Sequence, residues 1–226
     1  MRRVTASKFS AALLPRKNLW FTARFIVKQS IVTLDMEGVL TPEVWIAVAE
    51  STQIPELRRT TRDEPDYDKL MRYRIDLLDR HGITLSKIQA VIAGLPLLPG
   101  AREFLDELRR RTQVIILSDT FEQFAQPFMR QLNWPTLFCH RLIVKQDRIT
   151  GYELRMPDQK RNAVAALQSL NYNVIAAGDS FNDTSMLGQA DHGFLFHAPA
   201  NVVQQFPQFP AVNDYATLLT KFGEVM

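Results

Sequence analysis

The sequence predicts an α/β protein: a doubly wound parallel sheet with a helical insert after its first strand. Three segments carry the prediction. SIVTLD (30–35), VIILSD (114–119) and VIAAGD (174–179) are short, continuous, largely apolar runs that each stop at a hydroxyl or acidic side chain. Continuous rather than alternating hydrophobicity marks strands buried on both faces of a sheet. Helical patterns lie between the runs, and strands separated by helices wind into a sheet whose ligands bind beyond the carboxyl ends of the strands. Polar residues that end the three runs therefore converge on one crevice.

The chain opens on a basic extension, residues 1–29. A formal charge of +3 and a pI near 9.1 invite nucleic acid or an anionic membrane as partners. Position argues against both. Of 27 basic residues, seven fall in residues 1–30 with no acid among them, so the rest carries 20 basic against 24 acidic side chains, a net −4. The extension reads as disordered, as a targeting segment, or as sequence upstream of the true start. No apolar run in it approaches the roughly 18 residues needed to cross a bilayer. The single Cys139 cannot close an intramolecular disulfide, which fits a reducing, cytoplasmic setting. No nucleic acid and no membrane are expected as partners.

After the first strand, residues 43–97 show helical patterns at 43–52, about 66–80 and about 84–93, with Gly82 closing the second. This stretch is expected to sit above the C-terminal edge of the sheet as a cap, dividing a core of residues 30–42 and 98–226. Residues 99–111 place Ala101, Phe104, Leu105 and Leu108 on one helical face leading into the second strand. Alternation from 141 to 154 around Gln146 and Asp147 is a hairpin signal. Residues 158–170, with Asp158 at the front and Ala163, Val164 and Leu167 on one face, lead into the third strand. FPQFP (206–210) reads as a rigid apolar connection.

The chemistry gathers at the strand ends. Asp35 and Glu37 follow the first strand, with Gly38 allowing a close turn, and Asp179 and Asp183 follow the third. Like charges in a crevice repel unless something neutralises them, and an oxygen-only set with no His or Cys rival points to Mg²⁺. Ser118, followed by Asp119 and Thr120, offers a hydroxyl and free N–H groups to an anion. Lys160 is the cation able to reach in from a helix start. Alone, Ser118 reads as a turn hydroxyl and Lys160 as a solvated surface lysine. In order along the chain they outweigh those readings.

In that order the motifs Asp35-Met36-Glu37-Gly38-Val39-Leu40, Ile115-Ile116-Leu117-Ser118, Lys160 and Gly178-Asp179-Ser180-Phe181-Asn182-Asp183 resemble those of the haloacid dehalogenase (HAD) superfamily of phosphohydrolases. The resemblance runs from about Ser30 to the C-terminus and implies a Rossmann-like core. LDMEGVL, RDEPDYDKLMRYR, ILSDTF, MRQL, GDSFNDTSML, FHAP and QFPQFPAV are similar to the phosphoserine phosphatase branch, including bacterial members that also transfer the phosphoryl group to homoserine.

The resemblance implies a Mg²⁺-dependent enzyme that hydrolyses O-phospho-L-serine, with homoserine as a further acceptor; the alternative is a HAD phosphatase for another small phosphate ester. It implies Asp35 as nucleophile and Glu37 as general acid and base. The metal would be held by Asp35, the Glu37 carbonyl, Asp179 and Asp183, and the phosphoryl group by Ser118 and Lys160, with Asp119 beside them. In the cap, Glu43 would read the substrate ammonium and Arg74 its carboxylate, with Tyr67 as an apolar wall and Asn182 as a further contact. Exposed i to i+4 pairing is the plain alternative for Arg72, Arg74 and Arg80, whose helix also carries Asp68, Asp76 and Asp79. Cys139, His140, His192 and His197 read as packing or surface. Monomer and homodimer both remain open.

Overall fold

The computed structural model describes residues 27–60, 63–64 and 66–226. The basic extension expected at 1–29 lies outside these residues except for its last three. Among the described residues seven strands form one sheet: β1 (Gln29–Leu34), β2 (Gln113–Phe121), β3 (Thr136–Lys145), β4 (Arg148–Glu153), β5 (Tyr172–Gly178), β6 (His192–Phe196) and β7 (Ala211–Val212). Their order is β4-β3-β2-β1-β5-β6-β7, parallel throughout except for β4, which pairs antiparallel with β3. The helices are α1 (Val44–Thr52), α2 (Tyr67–Arg80), α3 (Leu85–Ala93), α4 (Ala101–Arg111), α5 (Glu122–Gln131), α6 (Gln159–Ser169), α7 (Thr184–Gln189), α8 (Ala200–Gln205) and α9 (Tyr215–Val225).

The sheet is apolar on both faces, as continuous runs require. Val32, Leu34, Ile116 and Ile175 pack with Phe104 and Leu108 of α4 and Phe222 of α9. Ile31, Val174 and Ala176 pack on the other side with Val164 of α6, Met186 of α7 and Val202 of α8. Pairing of Leu34 with both Ile116 and Ala177 aligns the ends of the three central strands. Successive strands leave β1 in opposite directions, to β2 and to β5. That is the switch point of a doubly wound sheet; Asp35 and Asp179 follow their strands there, and Ser118 lies inside β2, past its paired stretch with β1, rather than at the strand end.

The helical stretch 44–93 is strapped to the β3–β4 hairpin, a connection that helical periodicity does not show. The Asp147 carbonyl accepts from the Leu85 N–H at 2.8 Å, and its carboxylate accepts from the Ser86 N–H and hydroxyl. Tyr152 donates to Asp68 at 2.7 Å, and Arg148 pairs with Asp79. At the crossing back to the sheet, the Leu98 N–H donates to the Leu40 carbonyl at 3.0 Å and the Tyr215 hydroxyl to the Val39 carbonyl at 2.6 Å.

Asp158 stands at the front of α6 with a left-handed φ of 43°, makes no cap bond and accepts from Ser185. Strand β3 begins at Thr136, well before the alternating segment, and joins β2 in parallel before it turns into the hairpin. Residues 136–140 are too few and too mixed to show a period of their own.

Candidate active site

Asp35 follows β1 directly, 4% exposed, and receives its neighbour Met36 N–H at 2.7 Å. Asp35, Asp179 and Asp183 each bring one carboxylate oxygen within 4.8 Å of the others. Two glycines make room for this crowd. A Cβ on Gly38, whose φ is +79°, would meet the Asp179 carboxylate at 2.4 Å, and one on Gly178 would meet the Asp183 side chain at 2.4 Å. Asp183 is fully buried and is held from below by the N–H groups of Asp179 and Ser180, both at 3.0 Å, within the 3₁₀ turn Phe181–Asp183.

Lys160 is not a solvated lysine. At 2% exposure its Nζ lies 2.7 Å from Asp183, 3.0 Å from Asp35 and 3.6 Å from Asp119. Burial opposes its charge, but Asp183, Asp35 and Asp119 hold it well above the ordinary lysine value. One ammonium cannot neutralise the whole group. Burial, then repulsion from Asp183, pushes Asp35 well above the usual carboxylate range, and the same causes lift Asp179 to about 7. Such a set of oxygens, short of positive charge and opened by glycines, fits a hard divalent cation.

Ser118 is buried at the end of the aligned part of β2, its Oγ accepting from the Thr120 N–H at 3.3 Å. Asp119 beside it is already paired: it accepts from Gln159 at 3.1 Å and Asn182 at 3.3 Å, and lies 3.6 Å from both Lys160 and His140. Burial alone would raise Asp119, yet Lys160 and these donors hold it far below the carboxylate range. The Glu37 carboxylate turns away from the three-acid group and receives the Val44 N–H at 2.9 Å, covering the start of α1. Burial raises Glu37, the N–H of Val44 opposing. Glu43, at the α1 N-cap position, makes no cap bond and stays exposed at the mouth.

On α2 the three arginines part company. Arg72 and Arg80 are exposed and pair with Asp68 and Asp76 one turn away. Arg74 is 6% exposed, lies 4.4 Å over the Trp45 ring and donates to the Arg59 carbonyl at 2.7 Å. Among the described residues no carboxylate lies within 4.0 Å of it, and its buried Nε has no partner. Burial lowers it to about 10.

These groups share one cavity of about 160 Å³, lined by Asp35, Glu37, Glu43, Tyr67, Arg74, Ser118, Asp119, Lys160, Asp179 and Asn182 among others. That is smaller than the roughly 300–1,000 Å³ of sites for drug-sized ligands and suits a small metabolite. Sequence reasoning missed Trp45 and Gln159. Gln159 donates to the Ser118 carbonyl at 2.5 Å. Proximity to Glu43 and to Lys160 was the available signal for each. His140, read as packing, borders Asp119 with no local signal at all.

Residues 30–191 match the family model of the haloacid dehalogenase-like hydrolases. A protein of Pseudomonas syringae pv. tomato named phosphoserine phosphatase is 60% identical over 193 residues, 85% of this chain and 81% of its own length. "Phosphoserine phosphatase ThrH" of Pseudomonas aeruginosa is likewise 60% identical over 193 residues, covering 85% of this chain and 94% of the relative. In fold, the chain is similar to a solved structure described as a phospho-aspartyl intermediate analogue of phosphoserine phosphatase, with a TM-score of 0.71 at 20% identity over 86% of this chain and 99% of that one. Laid on a sheet whose switch point carries the acids, a family match over most of the chain makes this protein a member of the haloacid dehalogenase-like hydrolases.

Proposed function

We propose that the chain is a Mg²⁺-dependent phosphoserine phosphatase that carries the phosphoryl group on Asp35 between O-phospho-L-serine and water, with homoserine as a further acceptor. The observation that carries the substrate is Arg74: among the described residues this buried guanidinium, in the same cavity as Asp35, has no carboxylate within 4.0 Å and its Nε has no partner, an arrangement suited to an anion brought by the substrate. Glu43 stands exposed at the same mouth for an ammonium. A phosphorylated amino acid presents both charges besides its phosphate, and the two Pseudomonas relatives are named for that substrate.

In this reading an Asp35 carboxylate oxygen attacks phosphorus and the bond to the serine oxygen breaks. Glu37, whose buried carboxyl favours holding a proton, gives that proton to the leaving oxygen. The Glu37 carboxylate then takes a proton from water as the water oxygen attacks phosphorus, which frees phosphate and restores Asp35. Ser118 and Lys160 hold the phosphoryl oxygens where charge develops. Asp35, Asp179, Asp183 and the Glu37 carbonyl would hold Mg²⁺, which supplies the positive charge that lets a carboxylate approach an anionic phosphate. The site residues all come from one chain, so either a monomer or a homodimer can work, and a cytoplasmic place accords with the lone Cys139.

The test is phosphate release from a panel of phosphorylated small molecules, with and without Mg²⁺ and homoserine, in wild type and Asp35→Asn. Preference for phosphoserine, dependence on Mg²⁺ and loss in Asp35→Asn are expected. Activity that survives the substitution refutes the nucleophile, and preference for a sugar phosphate or nucleotide favours another small ester. Transfer has its own observation: the Glu37 carboxylate is tied to the Val44 N–H and is less free to activate water. Glu37→Asp is expected to raise the ratio of hydrolysis to transfer, and an unchanged ratio sinks this account of the acceptor.

A further inference from the structure

We infer that Gln159 is a positioning residue that fixes the peptide between Ser118 and Asp119, so that the Asp119 N–H faces the phosphoryl group. The inference deepens the reading of Ser118 as a phosphoryl ligand and rests on it. Gln159 opens α6, and with Lys160, Ala163 and Val164 it forms the buried face of that helix. At 2% exposure its amide is as hidden as the lysine beside it. A buried amide is costly unless its hydrogen bonds are made. Nε2 donates to the Ser118 carbonyl at 2.5 Å and to Asp119 Oδ1 at 3.1 Å, and Oε1 accepts from Arg155 Nε at 3.1 Å. Two acceptors on one side and a donor on the other allow only this orientation of the amide. The Arg155 guanidinium in turn lies 4.8 Å over the Phe138 ring.

Strand β2 is irregular where Gln159 meets it. Its pairing with β1 ends at Ile116 and its register with β3 jumps from Leu117 to Phe121, so among the described residues no strand residue is paired with Ser118, Asp119 or Thr120. Side chains hold this stretch instead. Gln159 takes the Ser118 carbonyl, the Tyr67 hydroxyl donates to the Asp119 carbonyl at 3.3 Å, and Ser118 Oγ accepts from the Thr120 N–H at 3.3 Å. Of the two amides that follow Ser118, these contacts leave over that of Asp119. A trans peptide points its C=O and N–H in opposite directions. Ser118, Asp119 and Thr120 line the cavity that holds Asp35, whereas Gln159 does not. Drawing the Ser118 carbonyl toward Gln159, behind that wall, turns the Asp119 N–H back into the cavity beside the Ser118 hydroxyl. A fixed N–H there is a donor aimed in advance at developing phosphoryl charge.

The test follows the Asp119 amide by ¹H–¹⁵N NMR as inorganic phosphate is added with Mg²⁺. In the wild type the amide proton is expected to move downfield, as a new hydrogen bond requires, and an amide that phosphate leaves unmoved overturns the inference. Gln159→Leu, which removes the donor, is expected to diminish that shift and to weaken phosphate about tenfold, within the range found for outer groups that orient a ligand-binding group. Arg155→Met keeps Gln159 and removes only the support at Oε1; it changes an exposed side chain and should weaken phosphate in the same direction by a smaller factor. Unchanged phosphate affinity in both variants, with or without a lowered Tm, overturns the inference. Asp119→Ala separates the peptide from the carboxylate that Gln159 also touches. Gln159→Leu should still weaken phosphate about tenfold in that background, and a loss that vanishes there assigns Gln159 to the carboxylate and overturns its role on the peptide. Phosphate bound as tightly by Ser118→Ala as by the wild type would remove the phosphoryl reading itself. Loss of phosphate in Ser118→Ala with an unmoved Asp119 amide in the wild type would remove this inference alone.

Discussion

Lys160 shows how much of the site's charge balance depends on one side chain. Its ammonium lies within 3.6 Å of three carboxylates, two of them buried. Lys160→Met keeps the length and removes the charge, and a buried acid that loses its partner typically costs about 3–5 kcal/mol. Urea unfolding at pH 8 without added Mg²⁺ is expected to show a loss of that order along with loss of turnover. A shift below about 1 kcal/mol would contradict the role assigned to the ion pairs. Gly38 and Gly178 act at the same scale, since each admits a carboxylate where a methyl group would clash.

Helix α2 separates charges by face. Arg72 and Arg80 lie on its solvent side with partners one turn away, whereas Arg74 points inward over Trp45. Arg74→Lys loses the planar fork that binds a carboxylate through two bonds. It is expected to raise KM for phosphoserine at least about tenfold, a loss of about 1.4 kcal/mol of binding. An ester without a carboxylate should be little affected, and Arg72→Ala and Arg80→Ala should leave both substrates unchanged. Equal losses on both esters would remove Arg74 from carboxylate recognition. The spacing of charges places all three arginines within reach of i to i+4 partners, and that much is readable in the sequence. Which of them turns inward depends on Trp45 of α1 and on the Arg59 carbonyl, both outside α2.

For the whole molecule, the acid group couples folding to pH and to metal. Burial, and then Asp183, lifts Asp179 from 3.8 to about 7, and Asp35 is raised too. A raised acid favours the fold while protonated, so stability without metal should fall as pH climbs from about 4 through about 7. Mg²⁺ held as proposed would bind the ionised acids and oppose that fall. Thermal unfolding should therefore show a larger gain in Tm from Mg²⁺ at pH 8 than at pH 5; a larger gain at pH 5 would contradict the assignment of these acids to the metal. The sequence by itself determined the three central parallel strands, the helices leading into two of them, the helical insert after the first, and the convergence of Asp35, Ser118 and Asp179. Apolar runs and helical periods report which faces must be buried, and residues next to a strand end inherit its position. Only the tertiary structure decided that Lys160 is buried, that Arg74 has no carboxylate within 4.0 Å among the described residues, that His140 faces Asp119 and that the hairpin holds the helical insert. Desolvation and pairing depend on what distant segments bring against a side chain, and no local pattern encodes that.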